Sequence, residues 1–416
     1  MQPITSLRQP VAPLRAGTDV LVARQPVYDP SLKVVAYELL VQRRDGSSAA
    51  DEAEATSTIS EIGLNLVAGH TAYIPVSRAF LLEGFATALP ADRVTLTVGP
   101  DLQLDRAARD ALESLFATGY RLALIDYEAD GPLEPLLSIA SVVGINVAGL
   151  DRAELRDRLE RLARRGVQTL ARNVEQHDEL ELCISLGFDL LQGYFICRPR
   201  IVSEQGLKVT AMNRVRLIQG LRDEDMDFDD LHDIIARDVA LSYNLLRFIN
   251  SAFFALPRRV ESIRDALVLL GSINVRKWAT LMALADSQDK PRELVVTGLV
   301  RARMCELLAT AHGQRDLEGA FTTGLFSVVD ALTDRSMVEL LQSLPLSSEI
   351  IQALLNHEGS KGRILRAAIA YERGDFGELG NLPPTRTPLS DLYAEAVAWA
   401  TEASGGLPDA APASPR

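Results

Sequence analysis

A chain of 416 residues exceeds what one ordinary hydrophobic core organises and points to two domains, with 47% apolar residues to fill them. Lys and Arg number 43 against 56 Asp and Glu, so a net charge of −13 excludes a general electrostatic attraction to nucleic acid or an anionic membrane. Cys183, Cys197 and Cys305 lie too far apart for a disulfide framework or a zinc-ligand pattern, and there is neither a signal-peptide run nor a long apolar run, so a cytoplasmic protein without a membrane span is expected.

In chain order, residues 1–18 read as a flexible leader. Over 19–203, short β-rich runs alternate with helical patterns: VLVARQPVYD, VVAYELLV, AYIPV, VTLTV, RLALIDY, VVGINVA, VQTLAR and DLLQGYFI. Only DPSLK separates the first two runs, which predicts a hairpin; thereafter strand and helix alternate as parallel βα units do. Amphipathic stretches such as DRAARDALESLFATGY and AELRDRLERLARRG supply the helices. The pattern predicts a compact TIM-type barrel, with an open doubly wound sheet as the alternative. Over 204–403 the alternation disappears and helical patterns take over, with Ser262 and Asp265 as a capping pair and Gly271 as a helix stop. The fold class is therefore α/β plus all-α, and the Pro/Ala/Ser tail over 404–416 is expected to be disordered.

Side chains that do chemistry in a βα barrel project from the C-terminal ends of its strands. Those ends give Glu38, Pro75, Val98, Asp126, Gly144 with Asn146, Arg172 and Gln192. A phosphodiesterase holding two cations about 4 Å apart needs several acidic ligands. Only Glu38 and Asp126 are carboxylates here, so neither a metal pair nor magnesium is expected. Two readings of the cluster stay open. Glu38 and Asp126 can pair with Arg172, or Arg172 and Gln192 can face an anionic ligand, because a guanidinium fork suits phosphate oxygens. Elsewhere His232-Asp233 and His357-Glu358 are lone doublets, and His70, His177 and His312 read as surface or helix-end residues. Phe253 and Phe254 read as core aromatics, and RLERLARR and LPRRVESIR as solvated faces.

VAYELLVQ resembles the EAL signature, with Glu38-Leu39-Leu40 for Glu-Ala-Leu, and GFDLLQGYFICRP resembles that family's closing QGY…RP segment. LARNVEQHDEL, LALIDYEADG and GINV are similar to its AEGVE…Q, DDFG and KID stretches. The resemblance implies that Glu38 stands for the metal-ligand glutamate, Gln192 for the glutamine supporting the active site, Asp126 for the second aspartate of DDFG and Glu175 for the second glutamate of its stretch. It also implies losses: Ile125 for the first aspartate, Pro75 for a ligand asparagine, Val98 for a ligand glutamate, Gly144 for a lysine and Arg172 for an acidic ligand. DVALSYNLLRFINSAFF, SIRDALVLLGSINVRKWA and FTTGLFSVVDAL resemble an HDOD domain, with Ser327 and Val328 where an active HD enzyme shows His-Asp.

The resemblance implies a bacterial signalling protein with a degenerate EAL barrel followed by an HDOD domain. The expectations are that it is not an enzyme and works through protein partners of both domains in cyclic di-GMP-related regulation. Glu38, Asp126, Arg172, Glu175 and Gln192 would be vestigial or ligand-binding. Cyclic di-GMP as a ligand held without hydrolysis is the alternative, and a residual phosphodiesterase the third reading. No cofactor, nucleic acid or membrane partner is expected, and a homodimer stays open.

Overall fold

The computed structural model describes residues 20–43, 56–200, 228–236, 262–271, 290–342, 346–381 and 385–404, with a few isolated positions between them. The expected leader, the boundary at 203/204, the tail after Ser404 and the Phe253-Phe254 pair lie outside the described residues.

Strands β1 (Val20–Tyr28) and β2 (Val34–Arg43) form the expected antiparallel hairpin. Asp29 fixes the turn, because its Oδ1 accepts from the backbone N–H of Ser31 at 2.8 Å and of Lys33 at 3.1 Å. Strands β3 (Thr71–Pro75), β4 (Val94–Val98), β5 (Arg121–Leu124), β6 (Val142–Asn146), β7 (Gln168–Arg172) and β8 (Leu190–Gln192) follow, each parallel to the one before. β8 closes antiparallel on β1 through Val27 and Tyr28, so the sheet is a closed eight-strand barrel rather than an open one.

Helices α1 (Arg78–Leu82), α2 (Arg106–Ala117), α3 (Arg152–Leu162) and α4 (His177–Leu186) fill the later crossovers. Ser77, Asp105 and Asp151 start the first three by accepting from backbone N–H groups of the first turn. α2 turns Ala108, Leu112 and Leu115 inward at helical spacing. The β5–β6 crossover is trimmed, with only a 3-10 turn at Glu134–Leu136.

Alternate residues of each strand point into the barrel. Val27, Ala36, Tyr73, Ala123, Val142, Leu170 and Leu190 form a buried apolar interior cluster. Two residues further along four of those strands stand Glu38, Gly144, Arg172 and Gln192. Period-two geometry therefore lays an apolar floor under a polar mouth.

The second half is helical: α5 (Phe228–Ala236), α6 (Ile263–Leu270), α7 (Arg292–Ala311), α8 (Leu317–Phe326), α9 (Val329–Thr333), α10 (Met337–Leu341), α11 (Ser348–Asn356), α12 (Gly359–Arg373) and α13 (Leu389–Ser404). Ser262 accepts from the Asp265 N–H and Gly271 ends α6 at φ +77, as the sequence implies. α7 is the central post, packed by α8, α12 and α13. Phe321 stacks edge-on against Trp399 at 5.8 Å in that packing.

The two halves meet on β1. Because β8 is only three residues long, β1 has no β8 partner before Val27. The Tyr371 hydroxyl of α12 fills part of that gap, donating to the Val22 carbonyl at 3.1 Å and accepting from the Val22 N–H at 3.3 Å. Nearby, Arg24 of β1 lies 3.7 Å from Glu293 of α7 and over the Tyr37 ring, while the Tyr37 hydroxyl donates to Glu293 at 3.0 Å. Burial pushes the Glu293 carboxyl up, opposed by Arg24 and the Tyr37 hydrogen bond.

Tyr371→Phe removes only that hydroxyl and strands a buried N–H and C=O on Val22. The expected loss is about 1–3 kcal/mol, read as a lower urea midpoint at unchanged slope. An unchanged midpoint would show that the contact is not stabilising.

Candidate functional site

Arg172 ends β7 and points inward over Gly144 of β6. A Cβ on Gly144 would lie 2.9 Å from Arg172 Cδ, so the glycine makes room for the arginine. The guanidinium then uses each of its nitrogens. Nε donates to Gln192 Oε1 at 3.0 Å, Nη1 to Asp126 Oδ2 at 2.9 Å, and Nη2 to Glu38 Oε2 at 3.0 Å and Oε1 at 3.3 Å. Gln192 Nε2 donates to Glu38 Oε2 at 2.6 Å and closes the ring. The side chains of Arg172 and Glu38 are 12% and 6% exposed, that of Asp126 39%. Burial disfavours the guanidinium charge, but Glu38 and Asp126 outweigh it and hold Arg172 above its ordinary value. The pairing of both carboxylates with Arg172, one of the two readings of the sequence, is present.

Backbone geometry supports the aim of these groups. Asp126 follows β5 at φ +51, a left-handed turn that an aspartate tolerates, and its Oδ1 is buried without a hydrogen-bond partner. Gly193 follows Gln192 where a Cβ would fall 1.9 Å from the Val174 carbonyl oxygen. Only glycine fits there, which accounts for the Gln-Gly step in DLLQGYFI. Two clefts flank the mouth. One, of about 360 Å³, is lined by Asp126, Glu128, Asn146 and Arg158; the other, of about 370 Å³, by Pro75, Ser77, Arg78 and Gln103.

Glu38, Asp126, Arg172 and Gln192 are thus brought together, whereas Glu175 is not. Its carboxylate lies 3.7 Å from Arg198, and its backbone N–H is held by Glu179. Val98 is also not at the mouth. It is fully buried in the layer between strands and helices, and Thr97, paired with Pro75 and Ala123, takes the inward position. The Thr95 and Thr97 hydroxyls are buried without a hydrogen-bond partner. The alternation in VTLTV sets the valines and the threonines on opposite faces but does not say which face is inward, because every residue of the run is buried. His177 opens α4 and His312 caps the C-terminus of α7, as helix-end residues do.

The residues present do not fit a pair of divalent cations. Both mouth carboxylates are taken by a guanidinium, and no group of three or more His, Cys, Asp or Glu that could hold a metal occurs among the described residues. Ser327, at the break between α8 and α9, donates to the Gly324 carbonyl and accepts from Arg301, while Val328 is buried.

An eight-strand barrel with an antiparallel first strand, an Arg-bridged mouth and an attached helical domain defines a two-module architecture. The HDOD domain model matches residues 209–377. The uncharacterized protein YuxH of Bacillus subtilis is 30% identical over 400 residues, 91% of this chain and 98% of its own. Cyclic di-GMP phosphodiesterase CdgJ of Vibrio cholerae is 32% identical over 372 residues, 85% of each chain. The chain belongs to the bacterial family of EAL and HDOD domain-containing signalling proteins. Among solved structures, the cAMP-bound EAL enzyme Bd1971 matches with TM-score 0.36 at 15% identity, over 42% of this chain and 62% of that one. The EAL domain of Mycobacterium smegmatis DcpA matches with TM-score 0.36 at 19% identity, over 43% and 90%. Likenesses of this size carry no functional argument. The expectation that the chain is not an enzyme is corrected by the Vibrio relative, which is named a phosphodiesterase. Substitutions counted against a family motif do not by themselves establish loss of activity. Among the described residues no helix is long and apolar enough to cross a membrane.

Arg172→Ala leaves the Glu38 charge buried and unpaired, with an expected loss of about 3 kcal/mol in urea unfolding. Glu38→Gln in that background removes the orphaned charge and is expected to recover part of the loss. A double variant no more stable than Arg172→Ala would place the cost elsewhere.

Proposed function

We propose that the chain handles cyclic di-GMP at the barrel mouth and that the helical domain passes the result to protein partners, a second copy of the chain among them. The observation that carries this reading is Arg172, held between Glu38, Asp126 and Gln192, with one cleft reaching that ring at Asp126 and a second opening at Pro75, the end of β3. A cyclic dinucleotide is compact and dianionic, with two planar bases. The guanidinium fork matches phosphate oxygens, and the clefts at Asp126 and at Pro75 offer room for flat groups. The two carboxylates oppose the incoming anion, so binding requires Arg172 to exchange at least one carboxylate for a phosphate. The relation to CdgJ supports the choice of ligand.

The name of the Vibrio relative favours a second reading, in which the nucleotide is cleaved as well as held. One experiment addresses both. Cyclic di-GMP is titrated calorimetrically into the full-length protein with and without magnesium, and the recovered nucleotide is assayed for the linear product. Saturable binding is expected, weakened at least about tenfold by Arg172→Ala or Gln192→Ala, equivalent to about 1.4 kcal/mol. Linear product that disappears in Glu38→Ala supports cleavage. Absence of binding up to about 1 mM nucleotide overturns the proposal.

A further inference from the structure

Gln192, Gly193 and Tyr194 are consecutive, yet they belong to different neighbourhoods. The Gln192 amide is part of the mouth ring with Arg172 and Glu38. The Tyr194 side chain reaches the helical domain, where its hydroxyl donates to the Glu372 carbonyl at 3.0 Å and its ring lies 4.8 Å from the Arg373 guanidinium.

Little slack separates the two. The Val174 N–H donates to the Gln192 carbonyl at 3.1 Å and the Phe195 N–H to the Val174 carbonyl at 3.3 Å, so the turn wraps the backbone two residues beyond Arg172. Gly193 sits against that backbone with no room for a Cβ. A change at the Gln192 amide that shifts the Gln192 backbone therefore moves the base of Tyr194.

On the other side, Glu372 lies in the last turn of α12, where carbonyls have no partner within the helix. Tyr194 supplies one. The same turn carries Tyr371, bonded to Val22 of β1, and Gly374, whose missing Cβ would lie 2.9 Å from Leu40 of β2. It therefore rests on β1, β2 and the segment after β8 together. Inward, the Glu372 carboxylate is gripped by Arg301 of α7 through two 2.8 Å bonds, and Arg301 also reaches Ser327 at 3.3 Å and Cys197 at 3.7 Å. Arg301 and Glu372 are both buried, so this pair has few alternative arrangements.

We infer that Tyr194 is a positioning residue that couples the barrel mouth to the last turn of α12, so that the arrangement of Arg172 and Gln192 and that of the Glu372–Arg301 pair change together. The inference concerns the connection between the modules and depends on the proposed function only for the identity of the mouth ligand. A contact that merely holds two surfaces together gives independent effects on its two sides, whereas coupling makes the effect of a mouth substitution depend on the hydroxyl.

The test is amide hydrogen exchange by mass spectrometry on the full-length chain, followed over residues 368–376 and 190–195. Four proteins are compared: the native sequence, Gln192→Ala, Tyr194→Phe and the double variant. Gln192→Ala is expected to accelerate exchange over 368–376 at least about threefold, reporting local opening of the helix end. In the Tyr194→Phe background the same substitution is expected to leave that segment unchanged. Arg172→Ala, if it folds, should act as Gln192→Ala does. No response over 368–376, or an equal response with and without the hydroxyl, overturns the inference. Added cyclic di-GMP forms a separate arm. Protection over 190–195 and 368–376 that is lost at the second segment in Tyr194→Phe supports the coupling. Failure of the nucleotide to bind counts against the proposed ligand alone, and the four-protein comparison still decides the coupling.

Discussion

The structure depends on the reversed direction of β1. A barrel of eight parallel strands closes by pairing its first strand with its last along their length. Here β1 runs against both neighbours, and β8 stops after three residues. The part of β1 before Val27 is left as a sheet edge, which favours pairing with whatever chain comes by. The last turn of α12 covers it, with the Tyr371 hydroxyl serving both the N–H and the carbonyl of Val22. One topological feature thus closes the barrel and recruits the helical domain to the rim of its mouth.

That rim concentrates buried charge. Arg172 pairs with Glu38 and Asp126 inside the mouth, Arg24 with Glu293 between the modules and Arg301 with Glu372 behind them. Desolvation offsets most of the attraction in such pairs, so they add little net stability over an apolar replacement. They do penalise misregistered docking, because a displaced partner leaves an unpaired charge in a poorly polarisable environment. Their distribution fits an interface selected for one arrangement rather than for strength. It also leaves the mouth with one guanidinium against two carboxylates, a balance that an anionic ligand has to disturb in order to bind.

Cys197 illustrates how closely the modules are fitted. It follows the Gln-Gly-Tyr turn in the barrel, and its Sγ lies 3.7 Å from Arg301 of the helical domain. Burial pushes its thiol up to about 11, with Arg301 opposing. The partly buried side chain packs against the core beside the Arg301 charge.

Much of this was legible in local sequence. The hairpin, the strand runs and the capped helices follow from period and turn chemistry, which neighbouring residues carry, whereas the pairing of Glu38 and Asp126 with Arg172 was one of two readings that the sequence left open. Three things were not. Val98 was read at the mouth where Thr97 stands, because a run in which every residue is buried does not declare which face is inward. Glu175 was grouped with the mouth although it lies beyond the strand end, where the backbone has already turned away. Tyr194 looked like part of a site motif, and its bond to a residue 178 positions later could not be read from either segment. The sequence by itself determined the elements and the residue types available to the mouth, since these depend on short-range backbone preference and side-chain chemistry. Closure on β1, the inward face of each strand and the seating of α12 on the rim were decided only by tertiary structure, because each is set by contacts between segments that no local pattern relates.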